Sequence, residues 1–159
     1  MDIAAQTTAA SLEIRRTFDA PPERVFAAWT TVEALEKWMG PVDDMVTRVE
    51  AYELRVGGKY RFRLITRNDD DTTGPAGTEH VVEGTFVEIR PHQRLAFTWA
   101  WVENGMDIGE TLVTLDFTAR GKQTELVLLH EKLPTDEAHE AHREGWEGCL
   151  HCLGKYLDW

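Results

Sequence analysis

His130 and His142 are the side chains in this sequence best suited to acid–base chemistry, because imidazole changes charge near neutral pH. If both faced one cavity, they could give a proton to a substrate or take one from it. Arg63 and Asp116 are further titratable candidates, although strand alternation sets each opposite an inward-facing neighbour. A lone histidine is more often a hydrogen-bonded structural residue, so catalysis by His130 or His142 ranks behind simple binding. The chain has no Gly-x-Ser-x-Gly, no phosphate-cradling glycine loop and no dinucleotide fingerprint. No cofactor is expected.

Cys149 and Cys152, in the run CLHC, raise redox and zinc chemistry. A reactive Cys-x-x-Cys usually stands at a helix N-terminus, where the dipole lowers the thiol pKa. This pair falls near the end of a helical pattern, where the dipole acts the other way, and no second pair accompanies it. His139, His142 and His151 do not complete a metal site: His142 and Cys149 are two turns apart, roughly 10 Å along a helix axis. No metal is expected, and the cysteines read as buried structural residues. The loop NDDDTTGPAGTEH resembles a calcium loop only in part, since the twelfth position counted from Asp69 is His80 rather than Glu. A solvated, mobile hairpin tip is the better reading.

The elements that would position these groups are legible from periodicity. From Thr135 to Trp159, Ala138, His142, Trp146, Cys149, Leu153 and Tyr156 or Leu157 recur every three or four residues, which puts them on one face of a long helix. Thr135 and Asp136 supply capping oxygens at its start. At the other end of the chain, Leu12, Ile14 and Phe18 alternate with polar residues and predict a strand over 11–19. Pro21 and Pro22 then open a short helix over 22–29, and a second short helix over 32–39 stops at Gly40-Pro41. Six more strands are predicted over 45–54, 59–68, 79–90, 93–103, 108–120 and 123–132, separated by turns such as Gly57-Gly58, Asn104-Gly105 and Gly121-Lys122. Turns this tight imply antiparallel pairing. The fold class is therefore α+β, a curved seven-stranded antiparallel sheet wrapped around the terminal helix.

One face of the sheet is strongly aromatic. Tyr60 and Phe62 lie on one strand, with Phe97, Trp99 and Trp101 in a row on another. Such rings either fill the space under the helix or surround a cavity there. The candidate ligand-binding residues are these five, Trp38 of the second short helix, and His142, Trp146 and Cys149 of the long one. Composition sets the outer limits. A chain of 159 residues fits one domain over 11–159 behind a flexible tail over 1–10. The formal charge of −11, from 28 acidic and 17 basic residues, argues against nucleic acid and anionic membrane as partners. No apolar run is long enough to span a bilayer, and the N-terminus lacks the pattern of a signal peptide, so a cytoplasmic monomer or homodimer is expected.

Several motifs, taken in order, resemble a known family. RTFDAPPERVFAAWTTVEALEKWMGP (16–41), the Gly57-Gly58 turn, GTFVEIRPHQRLAFTW (84–99), VTLDF (113–117) and Gly145-Trp146 resemble the START-like (SRPBCC) superfamily. More narrowly they are similar to bacterial proteins related to the C-terminal domain of the activator of Hsp90 ATPase. The likeness runs from about Leu12 to Leu157. It implies the helix-grip fold, with a hydrophobic cavity between sheet and C-terminal helix. Two departures stand out: Met39 occupies a position where many relatives have a second tryptophan, and the ten residues before Ser11 are too few to be the extra N-terminal domain of the eukaryotic co-chaperone. Three functions are then in play. Binding of a small hydrophobic molecule leads. A polyketide-cyclase-like enzyme using His130 or His142, and an interaction module that contacts Hsp90 through the sheet surface, are the alternatives.

Overall fold

The computed structural model describes residues 11–41, 45–71, 73–103 and 107–157. The N-terminal tail expected over 1–10, the Asn104-Gly105 turn and the final two residues of the expected helix lie outside them. The elements follow in the order β1 (Leu12–Phe18), α1 (Pro22–Thr30), α2 (Val32–Trp38), β2 (Met45–Tyr52), β3 (Lys59–Thr66), β4 (Glu79–Arg90), β5 (Arg94–Glu103), β6 (Thr111–Arg120), β7 (Gln123–Glu131) and α3 (Asp136–Leu157). The seven strands form one antiparallel sheet in the order β1-β7-β6-β5-β4-β3-β2. The fold is α+β, as the alternation predicts.

Where the strand ends differ from expectation, backbone chemistry explains it. β2 stops at Tyr52 rather than Leu54 because the chain turns tightly through Glu53–Gly58. There the Arg55 amide donates to the Glu53 carbonyl, and a Cβ on Gly58 would stand 2.0 Å from that same oxygen. β6 begins at Thr111 rather than Ile108 because Gly109 takes φ 75°, a left-handed conformation that no strand continues through. β3 gives way at Thr66 to the 67–78 hairpin loop. That loop is more ordered in its bonding than a bare solvated tip. Asp70 accepts from the Thr73 amide and Asp69 from the Ala76 amide, while Thr73 is buried. Two of the three aspartates in this run, Asp69 and Asp70, are thus taken up by backbone amides of the loop.

Curvature comes from β-bulges, which kink a strand and increase its twist. The β4–β5 ladder shifts register between Val81 and Val82 and again between Phe86 and Glu88; β2–β3 shifts between Val49 and Ala51. At Gly84 the concave face is pulled in closely. The Tyr60 hydroxyl donates to the Thr98 carbonyl at 2.6 Å, and a Cβ on Gly84 would come within 1.9 Å of that carbonyl oxygen.

The concave face is covered by two lids. α1 and α2 close one half of it, locked together by the Trp38 Nε1 bond to the Ala28 carbonyl and the edge-on stacking of Trp29 on Trp38 at 4.7 Å. α3 closes the other half. Its first turn is capped by Thr135, whose Oγ1 accepts from the Ala138 amide at 3.0 Å. The buried residues of α3 include the predicted stripe but extend to Leu150 and Cys152. The face is wider than predicted because the connection after α2 also packs on the helix: a Cβ on Gly148 would lie 2.1 Å from the Pro41 carbonyl oxygen. Each large apolar side chain buried at this interface, such as Leu153, stabilises the fold by roughly 1.5–3 kcal/mol.

Candidate functional site

Where α3 crosses the sheet beside the Met39–Pro41 connection, the interior is hollow. A cavity of about 180 Å³ lies there, partly open to solvent. The sheet contributes Leu64, His80, Trp99 and Trp101 to its wall, and α3 contributes Ala141, His142, Gly145, Trp146 and Cys149. Met39 and Pro41 complete it. Gly145 matters to this shape, since a Cβ built there would meet no atom of the described residues within 4 Å. Under α1 and α2, by contrast, the aromatic side chains close up on one another and leave only about 10 Å³.

A hydrogen-bonded chain runs behind the wall and fixes the protonation of both histidines. The Thr111 hydroxyl donates to the Trp99 carbonyl at 2.8 Å, so its oxygen must accept the proton on His130 Nε2, 2.7 Å away. His130 Nδ1 then carries the lone pair that accepts from Trp146 Nε1 at 3.0 Å. In the same way, His142 Nδ1 donates to the Ala138 carbonyl at 2.8 Å, which leaves Nε2 to accept from Trp101 Nε1 at 3.1 Å. Both rings are neutral, and both basic nitrogens are occupied by indole N–H groups. Burial pushes the His130 pKa down to about 3, with the nearby His142 ring adding to the effect, and burial also lowers that of His142. The two imidazoles stand edge-to-face with centroids 4.9 Å apart.

The structure therefore brings Trp99, Trp101, His142, Trp146 and Cys149 around one cavity. It places Tyr60, Phe62 and Phe97 on the nearly closed void under the short helices, and Trp38 in the α1–α2 contact. Those four rings belong to the packed half of the core. His130 is fully buried behind Trp146 rather than in the wall. Arg63 and Asp116 are on the outer face, in ion pairs with Glu50 and Glu79 and with Arg94 respectively. His139 donates to the Ser11 carbonyl at 2.9 Å, tying α3 to the start of β1. The Cys149 thiol is raised to about 12 by burial, the state of a structural rather than a nucleophilic cysteine.

Periodicity alone did not single out Pro41, His80, Ala141 or Thr111. Pairing does hold a signal for two of them. His80 is the cross-strand partner of Leu64, and Thr111 that of Trp99, so each shares the inward face of its partner.

With this geometry in place, comparison with known proteins is decisive for the family. The model of the family described as Activator of Hsp90 ATPase homolog 1-like protein matches residues 19–158. The chain belongs to that family. Among solved structures, this Hsp90-activator-like chain is similar to a protein of Chromobacterium violaceum, with 25% identity, a TM-score of 0.79 and coverage of 94% of this chain and 98% of that one. A protein of Rhodobacter sphaeroides shares 28% identity at a TM-score of 0.74, covering 94% and 93%. The AHSA1 protein of Silicibacter pomeroyi shares 25% identity at 0.77, covering 94% and 98%. No curated protein matches the chain. In this member of the family Met39 forms part of the cavity wall, and a thioether there occupies less space than an indole would.

Proposed function

We propose that this protein binds a small, mostly apolar molecule in the cavity under α3. One observation carries the reading: at the point where a helix-grip core could have been filled, three tryptophans and an open glycine position enclose about 180 Å³ instead. A dry apolar cavity of about 150 Å³ is enough to take up benzene. The molecule is accordingly of single-ring size, with any larger part projecting through the open side. Its walls are preformed and mostly apolar, as small-molecule sites usually are. The absence, among the described residues, of a helix long and apolar enough to cross a membrane agrees with action in an aqueous compartment. Two buried thiols, Cys149 and Cys152, fit a reducing compartment, which supports the cytoplasm.

The cyclase-like alternative draws no support from the histidines. For either ring to act as a base, Trp101 or Trp146 must first release the nitrogen it occupies. The co-chaperone alternative rests on the family description alone, and fold by itself does not assign function. Titration with toluene and α-methylstyrene, followed by tryptophan emission and by the melting temperature, tests the proposal. Binding should quench or shift the emission, raise the melting temperature in the wild type, and be lost in Gly145→Leu, whose side chain grows into the cavity. No response to either probe, or an unchanged response in a folded Gly145→Leu, would refute it.

A further inference from the structure

Given that the cavity binds an apolar molecule, we infer that Met39 sets the length of that molecule, its side chain being the partition between two hollows of one interior. The cavity under α3 and the void under α1 and α2 lie side by side. On β3, Leu64 lines the first and Phe62 the second; on β5, Trp99 lines the first and Phe97 the second. Residues two apart on a strand share a face and stand roughly 7 Å from each other. Opposite the sheet, Trp146 of the cavity and Trp29 of the void approach to 6.2 Å between ring centroids. Among the described residues, Met39 alone lines both hollows.

The partition is side chain, not backbone. The Met39 amide donates to the Leu35 carbonyl at 3.0 Å, and its carbonyl accepts from the Thr47 hydroxyl of β2. That clamp from two elements fixes the backbone, and the residue is buried. What separates the hollows is therefore an unbranched thioether, a group with several rotatable bonds that fills irregular gaps in a core.

The space beyond Met39 suits hydrocarbon. Leu35, Phe62, Phe86, Leu95 and Phe97 wall it, and its two tyrosine hydroxyls are committed elsewhere. Tyr52 donates to the Trp29 carbonyl at 2.9 Å and Tyr60 to the Thr98 carbonyl at 2.6 Å. On its own the void of about 10 Å³ has room for no more than one water. With Met39 in place, a ligand therefore ends at the thioether. The site takes compact one-ring molecules and gains nothing from an alkyl chain directed inward. With the thioether gone, the two hollows join and a chain of a few carbons fits.

Toluene, ethylbenzene, n-propylbenzene and n-butylbenzene lengthen a single ring one methylene at a time. In the wild type, affinity should level off along the series, because the chain stays on the open side of the partition. In Met39→Ala, each methylene that passes into the void should add about fourfold. For two such methylenes, the affinity ratio of n-butylbenzene to toluene rises roughly fifteenfold over the wild type. Phe62→Leu, which enlarges the void and leaves Met39 in place, should keep the wild-type pattern. Three results would overturn the inference while leaving toluene binding intact: about a fourfold gain at every step in the wild type, an unchanged ratio in a folded Met39→Ala, or a Phe62→Leu series that rises like that of Met39→Ala. If Met39→Ala does not fold, methyl NOEs in the wild type decide. The assigned Met39 methyl should contact bound toluene and the ring of Phe62 or Phe97 at once, and contact on one side only would overturn the inference. Failure of the whole series to bind the wild type would remove the binding proposal and this inference together.

Discussion

Acidification should destabilise this protein through His130, beginning above the pH range in which carboxylates titrate. In the native state the ring is neutral, its Nδ1 filled by the Trp146 N–H and its Nε2 proton given to Thr111. A second proton on Nδ1 would face the indole N–H, donor against donor, inside the core. The folded pKa of about 3 lies below the ordinary value of 6.5 that the unfolded chain shows. The unfolded chain thus takes up protons first as pH falls. Stability is fully present above about pH 6.5 and is lost progressively between there and about pH 3. From about pH 7.5 to about pH 5, roughly 1.5 pH units of that window are crossed, worth about 2 kcal/mol. His142, lowered by burial, adds loss in the same direction. For a chain of this size about 2 kcal/mol corresponds to a melting temperature lower by roughly 4–8 °C. The clean comparison is His130→Gln, whose amide can accept from Trp146 and donate to Thr111 without titrating. Urea unfolding at both pH values should show the wild type losing about 2 kcal/mol more than the variant. Equal losses in the two proteins, or an NMR titration of the His130 ring with its midpoint near 6.5, would show the buried-neutral assignment to be wrong.

Two further outcomes follow from close packing. Gly84→Ala should cost roughly 3 kcal/mol or more, since its Cβ would overlap the Thr98 carbonyl and press on the Tyr60 ring, whereas Tyr60→Phe should cost about 1 kcal/mol for the lost hydroxyl bond. Denaturant midpoints decide this, and a neutral Gly84→Ala would contradict the close approach. Cys149 and Cys152 should resist an aromatic disulfide reagent at neutral pH in the native protein and react once it is unfolded, because both are buried and the Cys149 thiol is held at about 12. Rapid labelling of the folded protein would refute that.

The order of elements was legible in the sequence because each rests on local rules. Alternation over Leu12–Phe18, proline at the start of α1 and the three-and-four spacing of Ala138, His142, Trp146 and Cys149 are fixed by backbone geometry over a few residues. The same rules identified the inward rings of β3 and β5. They could not say which rings fill space and which enclose it, because that depends on what stands opposite. Phe97 and Trp99 share one face of one strand. Phe97 meets Tyr60 and Phe86 beneath α1 and α2, whereas Trp99 meets α3 near Gly145, where no side chain of the described residues reaches in.

Nor could the sequence assign the histidines. Their types and spacing suggested acid–base work, yet their roles were decided by two indole N–H groups, one from the sheet and one from α3, that occupy the nitrogens such work requires. Residue type sets what a side chain can do. The partner brought to it from a distant part of the chain sets which of its atoms remain available, and for both histidines here that partner is an indole N–H.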